Sequence, residues 1–401
     1  MAGTPERSLR IAIVTETYPP EVNGVARTLA IAVQGLRARG HDIRLVRPRQ
    51  GPADRETLEI RYAEFLRPGV RIPRYPQLRI GLPSKGALLR AWRSERPDLV
   101  YVVTEGPLGW SALSAARVLG IPVATDFRTN FHAYSSHYGV GWLAGPVTAW
   151  LKSFHNRADC TMAPTHAMAE ELARRGFERL RVVGRGVDSA LFARPKRDDA
   201  LRRRWGAGAE IPVALCVSRF APEKNLPVVL DAFRAMCAVR PETRLVLVGE
   251  GPMEQELRRA LAGESRAILV AGRLANEDLA AHYASADVFL FPSATETFGN
   301  VTLEAMASGL AVLAYDYAAA HEHIQHRHSG LLAALNDRLC FIEHAATLVR
   351  DPPLARRLGQ GARAAAELLG WDRVMAELEA ELRATAGAAR GVELGASHAA
   401  A

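Results

Sequence analysis

Two carboxylates stand eight residues apart in the stretch Glu296-Thr-Phe-Gly-Asn-Val-Thr-Leu-Glu304. An apolar run ending at Phe291 precedes this stretch, and a helical run that ends at Gly309 begins inside it. The order predicts a strand that leads through a glycine-containing loop into a helix N-terminus, where free N–H groups can bind a phosphate. Glu304 lies about one turn inside that helix and leans back toward its start. Because carboxylates repel phosphate, we expect Glu304 to bind ribose hydroxyls and Glu296 to bind sugar hydroxyls.

A loop with two cations follows an earlier strand of the same half, in Val217-Ser-Arg-Phe-Ala-Pro-Glu-Lys-Asn-Leu226. Arg219 offers a planar fork and Lys224 a point charge, which suits two adjacent phosphates. Together they would neutralise a diphosphate and stabilise it as a leaving group. The alternative is that both are exposed loop cations. The carboxylate-containing loop in the same half favours the diphosphate site.

Two further turns contain glycines after predicted strands. Gly249 lies in Val248-Gly-Glu-Gly-Pro252, which is either a tight strand–helix turn or a turn that faces a nucleotide. Gly24 follows Asn23 at the start of a predicted helix, where a missing Cβ allows close approach of a ligand. The alternative for Gly24 is also a simple turn.

A polar segment leaves a strand of the first half, from Thr125 to Tyr138. Its polar side chains are Asp126, Arg128, Asn130, His132, Tyr134 and His137. An isolated histidine is usually structural, but this density at a strand end is typical of a site for an acceptor or a sugar. We expect Asp126 or His132 to orient the acceptor hydroxyl or to bind the transferred sugar.

Length and composition limit the class of protein. A chain of 401 residues is too long for one ordinary core and predicts two domains. No apolar run is long enough to span a bilayer, and the polar start at Met1 predicts no signal peptide. The scattered cysteines, Cys160, Cys216, Cys237 and Cys340, are expected to be reduced in a cytoplasmic protein.

The net charge of +8 comes from one region. Residues 36–96 contain 15 Lys/Arg and 6 Asp/Glu, a balance of +9. One interpretation is an arginine-rich solvated face. The other is a surface for anionic lipid headgroups or nucleic acid, of which lipid is favoured because aromatics are sparse and no nucleic-acid motif is present. The prediction is a protein peripheral to the inner membrane face, with no nucleic-acid partner.

Apolar strands alternate with helical segments through both halves of the chain, which predicts parallel sheets covered by helices. The charged stretch from Phe192 to Gly208 is interpreted as the linker. We predict a first domain at 1–195 and a second domain at 196–370. A C-terminal helix is expected at 371–386 and a disordered tail at 387–401.

These motifs resemble the retaining glycosyltransferases of family 4, and the resemblance covers nearly the whole chain. It implies an α/β fold of the GT-B class, with two doubly wound Rossmann-like domains facing across a cleft. It also implies that the N-terminal domain at 1–195 is the acceptor side, that the C-terminal domain at 196–370 binds the nucleotide sugar, and that the helix at 371–386 returns to the N-terminal domain. It also implies that Arg219 and Lys224 bind the donor diphosphate and that Glu296 binds the sugar. The remaining donor-binding residues implied by it are Gly24, Arg128, Gly249, Arg273, Phe298, Gly299, Asn300, Val301 and Glu304.

The chain departs from the common family pattern at Arg128, where many relatives have a histidine. His132, four residues later, either replaces that histidine or does something else. The histidine-rich run His321–His328 lacks a partner cluster, and no Asp-x-Asp pair is present, so neither a metal nor another cofactor is expected.

The motifs look similar to GDP-mannose-dependent α-mannosyltransferases that act on glycolipids, and also to sulfoquinovosyl-diacylglycerol synthases, which use a UDP-sugar. We expect transfer of a hexose, mannose before others, to a lipid or glycan acceptor with retention at the anomeric carbon. The alternatives left open are a UDP-sugar-dependent glycosyl- or sulfoquinovosyl-diacylglycerol synthase and a non-catalytic nucleotide-sugar-binding protein. A phosphorylase-like or epimerase-like enzyme on this fold is disfavoured, because no pyridoxal-lysine context is evident.

Overall fold

The structure is a computed structural model that describes residues 7–21, 23–72, 75–128, 144–261 and 267–398. Contacts divide these residues into two compact units. The first comprises 7–128, 144–184 and 372–398, and the second comprises 185–371 apart from 262–266. Each unit contains one mainly parallel sheet with helices, as the alternating pattern predicted.

The first unit begins with a strand and continues in largely alternating order. Its elements are β1 Arg10–Val14, α1 Gly24–Ala38, β2 Asp42–Pro48, β3 Leu58–Glu59, β4 Tyr62–Arg67, β5 Gly69–Ile72, β6 Tyr75–Gly81, α2 Lys85–Ser94, β7 Leu99–Val102, α3 Pro107–Leu119, β8 Val123–Asp126, α4 Ala144–His155, β9 Cys160–Ala163, α5 His166–Arg174 and β10 Leu180–Val182.

The main sheet of this unit has the strand order β10-β9-β8-β7-β1-β2-β4-β3. Only β3 pairs antiparallel within it, and β5 and β6 form a separate antiparallel hairpin. The central strands are largely apolar and, apart from Arg10, buried, as is typical of a parallel sheet covered by helices. The side chain of Asn23 caps α1 by accepting from the N–H of Ala26 over 2.8 Å.

The second unit repeats this plan. Its elements are a 3-10 turn Arg194–Lys196, α6 Asp199–Arg204, β11 Val213–Val217, a 3-10 turn Pro222–Lys224, α7 Leu226–Val239, β12 Arg244–Val248, α8 Glu254–Ala260, β13 Ile268–Gly272, α9 Asn276–Ser285, β14 Val288–Phe291, α10 Asn300–Ala307, β15 Ala311–Tyr315, α11 Ala318–His323, β16 Leu331–Ala333, α12 Arg338–Arg350 and α13 Pro352–Glu367. The sheet is parallel with the order β13-β12-β11-β14-β15-β16.

The predicted linker is part of the second unit rather than a connection between units. Phe192, Leu201 and Trp205 are buried in its core. Arg202 is also buried and donates to the carbonyl of Ser285 over 2.6 Å. The unit boundary lies between Gly184 and Arg185, earlier than the predicted residue 195. Charged composition suggested a linker, but both terminal nitrogens of the buried Arg202 are hydrogen-bonded and the large apolar side chains of the segment face the core.

The last helix, α14 Trp371–His398, packs from Asp372 onward with the first unit. Glu379 contacts the buried ring of His41 over 3.0 Å, and Arg383 donates to the carbonyl of Arg7 over 2.7 Å. The helix extends beyond residue 386 into the segment that was predicted to be disordered. Alanine, leucine and glutamate are strong helix formers, and they continue past that point.

Among the residues that the structure describes, no helix combines the length and the apolar character that crossing a bilayer requires.

Candidate active site

The candidate site of the second unit lies at the carboxyl ends of β11 and β14. These strands are parallel neighbours, while β12 pairs with the opposite edge of β11. The chain therefore turns toward one edge of the sheet after β11 and toward the opposite edge after β14. In open α/β sheets, ligands bind beside the strand ends at such a reversal of strand order. The loop after β11 contains Arg219 and Lys224, and the loop after β14 contains Glu296.

Lys224 and Glu296 form an ion pair between these two loops. Each side chain is only 12% exposed, so water screens the pair weakly. The ammonium nitrogen of Lys224 also lies 5.7 Å from the ring centroid of Phe291, the last residue of β14. The structure thus brings together two predicted site residues that are 72 positions apart in the chain.

Arg219 is held by a carboxylate that sequence reasoning missed. Its Nη2 donates to Oε1 of Glu223 over 2.6 Å, and the side chain of Glu223 is 0% exposed while that of Arg219 is 41% exposed. The carbonyl of Glu223 accepts from the N–H of Ala294 over 3.1 Å, which joins the loops after β11 and β14. An acidic residue in an apparently exposed loop gave no signal of this role.

The predicted helix N-terminus is present as the start of α10. Gly299 is the N-cap with a φ of 93°, a conformation that favours glycine, and no side chain caps the helix. Its first N–H groups are therefore suited to an anion. Phe298 is buried, and its carbonyl accepts from the N–H of Ala319 over 2.8 Å.

Two further predicted residues occupy the first turn of α10. The side-chain oxygen Oδ1 of Asn300 is buried and has no hydrogen-bond partner among the described residues. Val301 is half-buried and packs against the apolar core. Asn300 therefore has a buried acceptor that no described residue satisfies, whereas the contacts of Val301 are those of a packing residue.

Glu304 projects from α10 and is buried, and it is bonded to a residue that sequence reasoning missed. The hydroxyl of Tyr283 donates to Oε2 of Glu304 over 3.1 Å. Tyr283 belongs to α9 and is itself fully buried. A tyrosine on an apolar helix face predicts packing, so only the tertiary contact reveals it as a positioning group for Glu304.

Gly249 and Gly251 are required by close packing between two loops. A Cβ atom on Gly249 would lie 1.8 Å from the carbonyl oxygen of Ser218, and one on Gly251 would lie 2.4 Å from that of Phe220. Close packing against the loop after β11 is therefore enough to explain these glycines. Arg273, after β13, pairs with the exposed Glu250 over 3.2 Å. Nucleotide binding by Gly249 and Arg273 stays a prediction.

In the first unit, Asp126 and Arg128 are joined in a buried network. The guanidinium of Arg128 donates to Asp126 over 2.8 Å, to Thr28 over 2.7 Å and to Tyr101 over 3.3 Å. Burial alone would lower the pKa of Arg128, but the Asp126 carboxylate and the Tyr101 hydroxyl outweigh it and raise that pKa. These contacts give Arg128 a structural role, and its part in donor binding stays a prediction.

The remaining predicted residues of the first unit are Gly24 and His132. Gly24 is the first residue of α1, and its carbonyl accepts from the hydroxyl of Thr28 over 2.9 Å. The Arg128 network therefore extends to the first turn of this helix. His132 lies outside the described residues.

A carboxylate that was not predicted, Glu16, is buried after β1. It accepts from the N–H of Leu108 over 2.9 Å and from the N–H of Gly81. Burial raises the pKa of Glu16 to about 7, although the backbone N–H groups oppose the rise. Glu16 thereby joins β1, β6 and the first turn of α3.

Among the described residues, no group of three or more His, Cys, Asp or Glu side chains could hold a metal ion. In the histidine-rich run, Nδ1 of His321 pairs with Asp316 over 2.7 Å, and the ring of His323 packs against Phe298. These contacts account for two of its histidines.

Comparison with protein families gives two matches. A model described as Glycosyltransferase Family 4 matches residues 22–191, and one described as Glycosyl transferases group 1 matches residues 211–351.

Curated relatives cover most of the chain. A GDP-mannose-dependent alpha-mannosyltransferase of Mycolicibacterium smegmatis is 33% identical over 94% of this chain and 98% of its own length. One of the same name from Mycobacterium tuberculosis is 35% identical over 82% of this chain and 85% of its length. The sulfoquinovosyl transferase SQD2 of Arabidopsis thaliana is 28% identical over 90% of this chain and 71% of its own length.

A solved structure shares the fold. Sucrose-phosphate synthase from Thermosynechococcus elongatus aligns with a TM-score of 0.74 and 19% identity, covering 95% of this chain and 100% of that one.

Proposed function

The chain belongs to glycosyltransferase family 4, and on that premise we propose that it transfers mannose from GDP-mannose to a hydroxyl of a glycolipid or another glycan acceptor. Membership of the family makes the protein a glycosyltransferase and confirms the predicted GT-B fold. The donor and the acceptor are the part that we propose. One observation supports them above others, the 33% identity to the mycobacterial mannosyltransferase over nearly the full length of both chains.

The contacts of the second unit support the proposed chemistry. In the proposal, Arg219, Lys224 and the N-terminus of α10 bind the diphosphate and stabilise it as it departs. Glu304 binds the ribose hydroxyls, and Glu296 binds those of the sugar. Because these groups supply positive charge without an ion, we propose that the reaction needs no metal.

The acceptor side of the proposal depends on the first unit. We keep Asp126 or His132 as the residue that orients the acceptor hydroxyl or binds the transferred sugar. No carboxylate of the chain was predicted as a covalent nucleophile, so the departing phosphate is proposed to assist the attack. The acceptor hydroxyl then approaches on the face from which the phosphate leaves, and configuration is retained.

Docking to an anionic membrane is the proposed role of the basic region 36–96. Several of its cations have carboxylate partners, since Arg37 pairs with Glu59 over 2.6 Å and Arg47 with Glu64 over 2.7 Å. The hairpin of β5 and β6, in contrast, sets Arg71 directly opposite Arg79. Like charges in this position repel each other, and anionic headgroups would relieve the repulsion.

Exposed apolar side chains beside β3 support the same proposal. Leu58 and Ile60 are 80% and 91% exposed, which suits contact with a lipid surface better than contact with water. The protein would then be cytoplasmic and peripheral at the inner face of the membrane. Liposome flotation tests this: Arg71→Gln should weaken binding to anionic vesicles, whereas Arg44→Gln, which removes a cation already paired with Asp42, should not.

A UDP-sugar is the second candidate donor, because the relatives include a sulfoquinovosyl transferase and alpha-monoglucosyldiacylglycerol synthases. Thermal-shift titration with GDP, UDP and ADP separates the two, since a ligand that binds only the folded state raises Tm. The matching sugar nucleotides are then tested for transfer to glycolipid acceptors. A GDP preference with mannose transfer supports the proposal, a UDP preference supports the second candidate, and a shift without any transfer supports a non-catalytic binder.

A further inference from the structure

Each cation of the candidate donor site has a carboxylate partner. Arg219 is paired with Glu223, and Lys224 is paired with Glu296. We propose that the two pairs behave differently when the donor binds: Glu223 stays on Arg219 and positions it, whereas Glu296 leaves Lys224 to a phosphate and turns to the sugar hydroxyls. This inference rests on the proposed function, since it assumes a nucleoside diphosphate sugar at this site.

Burial fixes Glu223 in place. Its side chain is 0% exposed, and its Oε2 is buried without a hydrogen-bond partner among the described residues. Its carbonyl is bonded to the N–H of Ala294, so its backbone is held by the loop after β14. Separating this carboxylate from Arg219 would leave a buried charge without compensation, which is strongly unfavourable. Arg219 therefore keeps Glu223 while its exposed part meets a phosphate.

Glu296 is more accessible than Glu223, because its side chain is 12% exposed and that of Glu223 is 0% exposed. It also comes from a different loop than its partner Lys224. It also lies beside the start of α10, because a Cβ atom on Gly299 would be 3.5 Å from Cγ of Glu296. A phosphate attracted to that helix N-terminus would meet the carboxylate of Glu296. Since the two anions repel each other, a phosphate that approaches Lys224 disfavours the position that Glu296 occupies beside it.

The exchange couples the two ends of the donor. A phosphate that takes Lys224 leaves Glu296 without its cation, and sugar hydroxyls that donate to Glu296 compensate for the loss. A nucleoside diphosphate without a sugar displaces Glu296 and offers no such compensation. The site should therefore prefer the sugar nucleotide to the free nucleoside diphosphate, and the return of Glu296 to Lys224 should favour release of the product.

Calorimetric titration of GDP, GDP-mannose, UDP and UDP-glucose tests the exchange. Glu296→Gln should bind the free nucleoside diphosphate about fivefold more tightly than the wild type, because the competing carboxylate is gone. Its preference for the sugar nucleotide should fall. Glu223→Gln removes the same charge but should weaken binding, because Arg219 loses its anchor.

A background that lacks the lysine, Lys224→Met, separates the exchange from a general effect of removing a charge. In Lys224→Met, adding Glu296→Gln should give a smaller gain in affinity than it gives in the wild type, because only the repulsion between the carboxylate and the phosphate is then removed. An equal gain in the two backgrounds, or a Glu296→Gln variant that binds no more tightly than the wild type, overturns the exchange while the donor site stands. If the wild type binds none of the four nucleotides, the proposed function is overturned as well. If Glu223→Gln does not fold, the comparison of Lys224→Met with and without Glu296→Gln still tests the exchange.

Discussion

The hydroxyl of Tyr283 donates a hydrogen bond to Oε2 of Glu304 over 3.1 Å, from one helix of the second unit to another. The ring of Tyr283 packs at 5.5 Å from that of Phe192 and at 5.7 Å from that of Phe289, measured between centroids. Because packing holds the ring, the hydroxyl holds the carboxylate. The carboxylate of Glu304 is therefore held in one orientation.

Removal of this hydroxyl should impair donor binding. We expect Tyr283→Phe to raise the donor KM by about three- to tenfold with little change in kcat, because the carboxylate loses a positioning bond. Tyr315→Phe is the matched control, since the hydroxyl of Tyr315 is buried without a hydrogen-bond partner among the described residues. Steady-state kinetics check this, and equal changes in the two variants would contradict a positioning role.

Lys224 should be needed for turnover. Lys224→Ala removes the cation that neutralises the departing phosphate, so kcat/KM should fall by about 100-fold or more. Lys196→Ala is the control, because Lys196 pairs with Glu277 in the same unit and lies on no loop of the site. Activity of Lys224→Ala close to that of the wild type would show that the phosphate site is misassigned.

The buried carboxyl of Glu16 should make stability depend on pH. Its pKa is about 7 in the folded protein, above the ordinary value of 4.5. A raised pKa means that the folded state binds the proton more tightly, so the stabilisation is fully present below pH 4.5 and is lost as pH rises through 7. From the two pKa values the loss is about 3 kcal/mol.

Glu16→Gln isolates this effect. The difference in free energy of unfolding between the wild type and Glu16→Gln should fall by about 3 kcal/mol from pH 4.5 to pH 8. Urea unfolding at a series of pH values measures it. A difference that does not change with pH would refute the raised pKa.

Gly249 should not tolerate a side chain. Gly249→Ala would place a Cβ atom 1.8 Å from the carbonyl oxygen of Ser218, at a φ of +142°. We expect it to lower the free energy of unfolding by about 2 kcal/mol or more and to displace the neighbouring Arg219 loop. Gly208→Ala has open space around it and should change stability little. Thermal unfolding of the two variants tests the difference.

Arg128 should contribute to the stability of the first unit. Arg128→Met leaves the buried Asp126 without its cation, which should lower the free energy of unfolding by about 3 kcal/mol. Arg117→Met breaks an exposed pair with Asp159 and should lower it by less than about 1 kcal/mol. If Arg128→Met is as stable as the wild type but binds nucleotide poorly, Arg128 is a donor ligand instead.

Much of the second unit's site could be predicted because its signals are local. The apolar run ending at Phe291, the glycine at 299 and the helical run after it predict β14, its loop and α10 without any distant contact. Glu223 and Tyr283 could not be found in this way. One looks like an exposed loop acid and the other like a packing residue, and their roles depend on burial and on partners far away in the chain.

The sequence by itself determined the local units, namely which segments form strands, which form helices, and which polar residues follow strand ends. Hydrophobic periodicity and turn residues act over a few positions, so they can be read directly. The tertiary structure alone decided that β11 lies beside β14, and hence that Lys224 meets Glu296. It also decided that Arg128 and Glu223 are buried, because burial and long-range ion pairs depend on how the whole sheet packs.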